Sequence, residues 1–296
     1  MNKIIILVLM VLLSSCSKKP DLNKESGDKK QDSVESTEGQ NKTSEKTGNI
    51  QKNSRISGYY TGGFEAVKYD DTKEYVYENK ITISIDSTSG NQLFGHSIVA
   101  GNNRPFTGSY SQAGSIYEVN ASEPGDDKYD GKFTFRILSD SGIIEGKWIA
   151  NDPKLMVSER KYRLVKKVFK YDPNLELPAE IQWTELYEQT QKFPDKVEQI
   201  TKDVVKLNAS ARELTKKDVE NLYKGDLEII RNSIYARHGY SFKTRRVRFI
   251  FDQYIEWYMP VTTDVRNDLT DIEKKNIDLI KRYEEHAEKY YDEFGR

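Results

Sequence analysis

Lys80-Ile81-Thr82-Ile83-Ser84-Ile85-Asp86 places three isoleucines on one face at period two, the pattern of a strand with one side turned to a core. The alternation returns in Lys132-Phe133-Thr134-Phe135-Arg136-Ile137. Working outward, similar short runs are Gly58-Tyr59-Tyr60-Thr61-Gly62, Gly95-His96-Ser97-Ile98-Val99 and Phe106-Thr107-Gly108-Ser109-Tyr110, then Ile143 to Ile149 and Arg160 to Val165. Clusters such as Asp86-Ser87-Thr88-Ser89-Gly90 and Ser139-Asp140-Ser141-Gly142 separate them and supply turn chemistry. Seven or eight short strands with glycine at the bends predict an antiparallel β-barrel or strongly curved sheet over residues 55–170.

Beyond Pro178 the apolar period moves toward 3.6 and predicts a helical domain over residues 178–296. Thr215-x-x-Asp218 is a capping-box variant with Val219 and Leu222 turned inward. From Asp226, the residues Leu227, Ile230, Arg231, Ile234, Tyr235 and His238 share one helix face, and Gly239 follows as a left-handed cap. A third helix carries Val247, Ile250, Phe251 and Tyr254; a fourth opens at Thr270-x-x-Glu273 and turns Asn276, Leu279, Ile280 and Tyr283 to one side.

Arg231-Asn232-x-Ile234-Tyr235-Ala236-Arg237-His238-Gly239-Tyr240-x-Phe242, followed by Trp257-Tyr258-x-Pro260 and Glu273-x-x-Asn276-Ile277, closely resembles the YARHG domain, over roughly residues 213–284. The resemblance implies an extracytoplasmic bacterial protein and brings no biochemical activity with it. Tyr223 stands where members of the family often carry a small polar helix cap. In the first half, Gly58-Tyr-Tyr-Thr-Gly62 and Gly146-Lys-Trp148 are similar in arrangement to lipocalins, an analogy of fold that implies no ligand. The expected fold class is therefore α+β in two domains, an antiparallel β-barrel-like domain followed by an all-α YARHG-type domain.

The chain opens with Lys3, a ten-residue apolar run from Ile4 to Leu13, and Leu13-Ser14-Ser15-Cys16. The run is half the length a membrane span needs, about 20 residues, and fits a secretory signal peptide over 1–15. The last four residues resemble the bacterial lipobox, with Cys16 as the lipidated residue. Residues 16–54 hold no aromatic side chain and only isolated aliphatics, a composition too polar to offset its ordering entropy; they are expected to form a disordered tether. Ser17-Lys18-Lys19 lacks the acidic residues associated with surface export, so the expected position is the periplasmic side of the outer membrane.

Forty-six basic and forty-seven acidic side chains leave a net charge of −1, which gives no general attraction to nucleic acid. One cysteine excludes intrachain disulfides and Cys-based zinc sites. Glu123 to Gly131 carries four carboxylates, but Lys128 breaks the ligand order a calcium loop requires, and a hairpin loop is expected. No metal or cofactor is called for, and no catalytic set is assigned. Arg237 and His238 suggest an acid–base pair, yet no nucleophile or paired carboxylates accompany them. Arg231, Asn232, Tyr235, Arg237, His238, Gly239, Trp257 and Asn276 are read as mainly structural, His238 by satisfying carbonyls at its helix end.

Between Ile229 and Phe251 there are six basic residues and no acidic one. Arg245, Arg246 and Arg248 are expected to point outward as an anion-binding face, unless the acidic tail containing Glu284, Glu285 and Glu288 covers it. The leading expectation is a non-enzymatic, membrane-anchored binding module for an anionic glycolipid, a cell-wall polymer or an envelope protein. The alternatives are an envelope hydrolase with a site between the two halves, and a carrier of small apolar ligands in the β domain.

Overall fold

In the computed structural model, residues 53, 55–73, 76–190 and 199–290 are described. The signal peptide, Cys16 and the tether lie outside them. Eight strands, β1 (Gly58–Tyr69), β2 (Glu78–Ser89), β3 (Gln92–Val99), β4 (Asn102–Ala113), β5 (Ile116–Ser122), β6 (Gly131–Leu138), β7 (Ile143–Ala150) and β8 (Val157–Lys167), close into an antiparallel up-and-down barrel. Closure comes from β1 pairing β8, with Tyr59 opposite Lys167 and Phe64 opposite Tyr162.

The isoleucine alternation of β2 and the Phe133, Phe135, Ile137 alternation of β6 both face the interior. Aromatic rings fill it: Phe64 packs on Trp148 at 6.0 Å and on Tyr162 at 5.9 Å, and Phe133 meets Phe106 at 5.4 Å. Such pairs add to area burial through their quadrupoles. These rings and the inward isoleucines form one core cluster inside the barrel. Gly146 shows why strands bend here: a Cβ at that position would lie 2.3 Å from the Thr134 carbonyl oxygen and 2.5 Å from Phe135 Cβ.

Five helices follow: α1 (Trp183–Thr190), α2 (Lys216–Val219), α3 (Lys224–Arg237), α4 (Arg245–Tyr254) and α5 (Asp271–Tyr290), with a 3₁₀ turn at Lys202–Lys206. α3 begins at Lys224 rather than Asp226, and its cap residue Tyr223 makes no side-chain cap. Asp226 instead turns back to accept hydrogen bonds from the Thr201 amide (2.6 Å) and hydroxyl (3.0 Å). α1 and the 3₁₀ turn carry no long apolar stripe of their own; Trp183, Leu186 and Val204 are buried because α3 and α4 cover them.

The described residues of barrel and helices belong to one compact unit. The junction is polar. The Lys80 amide donates to Asp252 Oδ2 at 2.8 Å, and Lys80 Nζ donates to the carbonyls of Ile255 (2.9 Å) and Tyr258 (3.2 Å), at the end of α4. Arg248 Nε reaches Asn79 Oδ1 at 3.0 Å, and the Gly101 amide donates to Ser241 Oγ at 2.9 Å. Burial is the first influence on both charged partners, pushing Lys80 down and Asp252 up, each toward its neutral form. Removing one member leaves the others unsatisfied, so Asp252→Ala is expected to lower stability by about 2–4 kcal/mol. Urea unfolding should show this as a lower midpoint, and an unchanged midpoint would mean that the junction does not hold the two parts together.

Candidate functional site

The motif residues of the helical region are joined by one network. His238 Nε2 lies 2.7 Å from Glu273 Oε2, and both side chains are shut from solvent. Tyr171 stacks on the imidazole at 4.3 Å and donates its hydroxyl to Glu273 Oε1 at 3.1 Å. Glu273 also closes the capping box of α5, accepting from the Thr270 amide at 2.9 Å. His238 therefore serves a buried carboxylate and not the carbonyls at its helix end, which corrects the reason given for it from the sequence. Gly239, at φ 74°, turns the chain in the left-handed region beside it, where a side chain would be strained.

Arg237, 2 % exposed, donates to the Leu175 carbonyl through Nε (2.8 Å) and Nη2 (2.6 Å) and to Ser233 Oγ at 2.8 Å. Burial pulls its guanidinium down to about 10. Trp257 Nε1 donates to the Glu176 carbonyl. Asn276 Nδ2 donates to the carbonyls of Ala209 and Arg212 and its Oδ1 accepts from the Leu214 amide. Arg231 is held bidentately by Glu284 on α5. Each of these groups satisfies a backbone or carboxylate partner in the irregular segments 171–176 and 208–214 or on a neighbouring helix. Such groups fix packing; the hydroxyls among them, Ser210 and Ser233, are buried and hydrogen-bonded to Glu273 and Arg237.

The three arginines proposed as an outward face are not equivalent. Arg248 is buried, with its guanidinium between Asn79 and the Lys243 carbonyl. Arg246 is ion-paired with Glu228 on α3. Arg245, like Arg246, is partly exposed, but it has no hydrogen-bond or ion-pair partner among the described residues. The expectation of three outward guanidiniums fails because α4 lies with its first turns against the barrel, so that Arg248 falls on the junction side.

That placement creates a cavity of about 360 Å³ at the barrel mouth, under α4. Arg104, Arg160, Arg245 and Arg248 line it, together with Phe64, Trp148, Val99, Leu155 and Met156. No Asp, Glu, His, Ser or Cys is in the lining. Arg160 donates to the carbonyls of Phe64 (2.7 Å), Tyr77 (3.1 Å) and Val76 (3.1 Å) and sits over the Phe64 ring. Burial, reinforced by the nearby charge of Arg248, pulls Arg160 down to about 10. Arg104 is the exception in charge terms, since Asp130 (3.2 Å) and Asp127 (3.4 Å) hold it from outside.

Arg104 and Arg160 were not singled out from the sequence, yet Arg160 had a readable signal. It is in phase with the inward Tyr162 and Leu164 of β8, and an arginine on a core face must find compensation. The acidic loop is internally used: Asp130 Oδ2 accepts from the Gly125 and Asp127 amides, and Glu123 Oε2 from the Gly131 amide and Trp148 Nε1. Among the described residues no group of three or more His, Cys, Asp or Glu is placed to hold a metal ion.

The buried His238–Glu273 pair makes a pH prediction. Burial pushes the Glu273 carboxyl up, but the hydrogen bonds from His238, Ser210 and Thr270 outweigh it and bring it down to about 2, from an ordinary 4.5. A depressed carboxylate contributes stability that is present above the unfolded value and lost as pH falls through the folded one. The thermal midpoint is thus expected to fall between about pH 4.5 and 2, and Glu273→Gln should flatten that part of the profile. An unchanged slope in the variant would remove Glu273 as its source.

No curated protein and no solved structure matches the chain. Among the described residues no helix is long and apolar enough to cross a membrane. The family model described as the YARHG domain matches residues 202–285, beginning at the 3₁₀ turn and ending within α5. This start lies upstream of the core drawn at 213 from the motif, because the turn packs on α3 through Thr201 and Asp226. The helical part of the chain thus contains a YARHG domain over residues 202–285, which points to an extracellular or cell-envelope protein.

Proposed function

We propose that the chain is a non-enzymatic, lipid-anchored envelope protein that binds an anionic amphiphile, a phosphate or carboxylate joined to an apolar body, in the cavity between the barrel mouth and α4. The observation that carries this reading is the lining of four arginines without a carboxylate. Arg160 and Arg248 are fixed by carbonyls and by Asn79, so they supply a positive field without moving. Arg245 is the group free to form a charge-assisted, forked pair with the incoming anion. Trp148, Leu155, Met156 and Val99 offer an apolar wall next to that charge. The volume is at the small end of ligand sites, roughly 300–1,000 Å³, and suits a headgroup with a few carbons better than a whole lipid.

The same lining supports binding over hydrolysis, since it brings no carboxylate, imidazole, serine or thiol to the four arginines. Anchoring through lipidated Cys16 and a periplasm-facing position on the outer membrane are part of the proposal. Their support is Leu13-Ser14-Ser15-Cys16 with Ser17-Lys18-Lys19 after it, together with the envelope character of the YARHG domain. The membrane, through that anchor, and the anionic envelope component are then the partners; nucleic acid is not one.

Two measurements test this. Decyl phosphate titrated calorimetrically into the purified protein should bind, more weakly as salt rises, and an uncharged decyl glycoside should not. Arg245→Gln is expected to weaken binding about 10- to 100-fold, corresponding to about 1.5–3 kcal/mol for a lost hydrogen bond to a charged group, while Arg246→Gln leaves it unchanged. Equal binding by wild type and the Arg245 variant would reduce the arginines to a structural role. For the anchor, Cys16→Ser should abolish incorporation of labelled fatty acid and release the protein from membranes. Label in the variant, or none in the wild type, would end that part of the proposal.

A further inference from the structure

A second recess of about 480 Å³ lies within the YARHG domain itself, on the face of α3 that carries Arg231, Asn232 and Tyr235. Its other walls come from Tyr240, Thr244 and the 263–266 segment. Of its charged residues Lys243 is exposed, and the others are already paired: Arg231 with Glu284, Glu228 with Arg246, and Asp264 with Arg266. Asn232 is not. It is 7 % exposed, it lines the recess, and its carboxamide has no hydrogen-bond partner among the described residues. The polar side chains of Arg231, Arg237, His238, Trp257 and Asn276 all have partners within the fold, so Asn232 is the motif side chain that packing does not explain. Rather than being sealed in the core, its carboxamide opens onto the recess, where a ligand can pair with its donor and acceptor.

We propose that this recess binds an N-acetylated sugar, with the Asn232 carboxamide paired to the ligand's acetamido group. A carboxamide presents a donor and an acceptor side by side, which is the complement of a secondary amide. The half-buried rings of Tyr235 and Tyr240, tilted at 59° with centroids 6.1 Å apart, provide apolar surface with a polar tip, suited to a sugar ring with its alternating C–H and hydroxyl faces. Thr244 and Thr263 add hydroxyls on the rim. Arg231, Glu228, Asp264 and Arg266 are each neutralised in a pair, so the surroundings of Asn232 suit an uncharged group, while the exposed Lys243 stands in the same lining. A peptide also carries amides, but it would leave the sugar-sized, hydroxyl-lined rim without a matching group.

Tri-N-acetylchitotriose titrated into the full-length protein and followed by tyrosine fluorescence or by NMR should bind at micromolar to millimolar concentration. Cellotriose, which lacks the acetamido group, and a blocked tripeptide amide should not. Asn232→Ala should weaken chitotriose binding at least tenfold and leave the melting temperature unchanged, since the carboxamide makes no contact that folding needs. Arg245→Gln, at the other cavity, should bind chitotriose like the wild type. Absence of chitotriose binding, equal binding by the Asn232 variant, or cellotriose binding as tightly would each overturn the proposal. So would a melting temperature several degrees lower in Asn232→Ala, because Asn232 would then have a structural partner. Binding of the tripeptide in place of the sugar would assign the recess to peptides instead.

Discussion

The position of α4 across the barrel mouth depends on Lys80. Its main-chain amide is committed to Asp252, and its ammonium to the carbonyls that close α4. A lysine at that place ties a strand to a helix end by the two routes a single residue has, backbone and side chain. The Tyr258 ring, 5.3 Å from the ammonium, completes its surroundings. Once α4 is fixed there, Arg248 is drawn into the junction and Arg245 is left over the opening. The arginine-lined cavity is thus a consequence of the junction, formed by neither the barrel nor the helices alone.

The charge distribution follows a simple rule with one exception. Nearly neutral overall, the chain spends its carboxylates locally: Glu284 on Arg231, Glu228 on Arg246, Glu273 on His238, Asp130 and Asp127 on Arg104. Such pairs offset their own desolvation only when the geometry is good and the remaining polar atoms are satisfied, and here they hold elements in register. At the barrel mouth the pairing stops. Arg160 is satisfied only by carbonyls, and Arg245 by nothing among the described residues. That local excess is invisible in a net charge of −1.

The motif that names the domain belongs mainly to the fold's internal connections. Arg237, Trp257 and Asn276 use their donors on backbone carbonyls of segments that have no regular structure of their own. In this way irregular stretches, including the one leading out of the barrel at Tyr171, are tied by hydrogen bonds to the helical part. A polar motif of this kind is easily mistaken for catalytic machinery, and its partners are what distinguish the two.

The strands were legible because alternation of apolar side chains needs no knowledge of what they pack against. Ile81, Ile83 and Ile85, or Phe133, Phe135 and Ile137, specify which face is inside whatever the neighbours are. The capping box at Thr270 and Glu273 and the glycine at 239 were legible for the same local reason. What Glu273 does besides capping was not, since His238 is thirty-five positions away and only the fold brings the two together. α1 and the 3₁₀ turn escaped because their helicity depends on burial against α3 and α4 more than on a stripe of their own. The run Arg245, Arg246, Arg248 announced positive charge, but helical spacing alone could not say which guanidinium would meet Glu228, which Asn79 and which open space. Period and capping are properties of neighbours along the chain, so sequence determined the barrel, the amphipathic helices of the motif region and the motif. Charge pairing is a property of neighbours in space, so the tertiary structure alone decided which arginines are spent on the fold and which is left unpaired among the described residues.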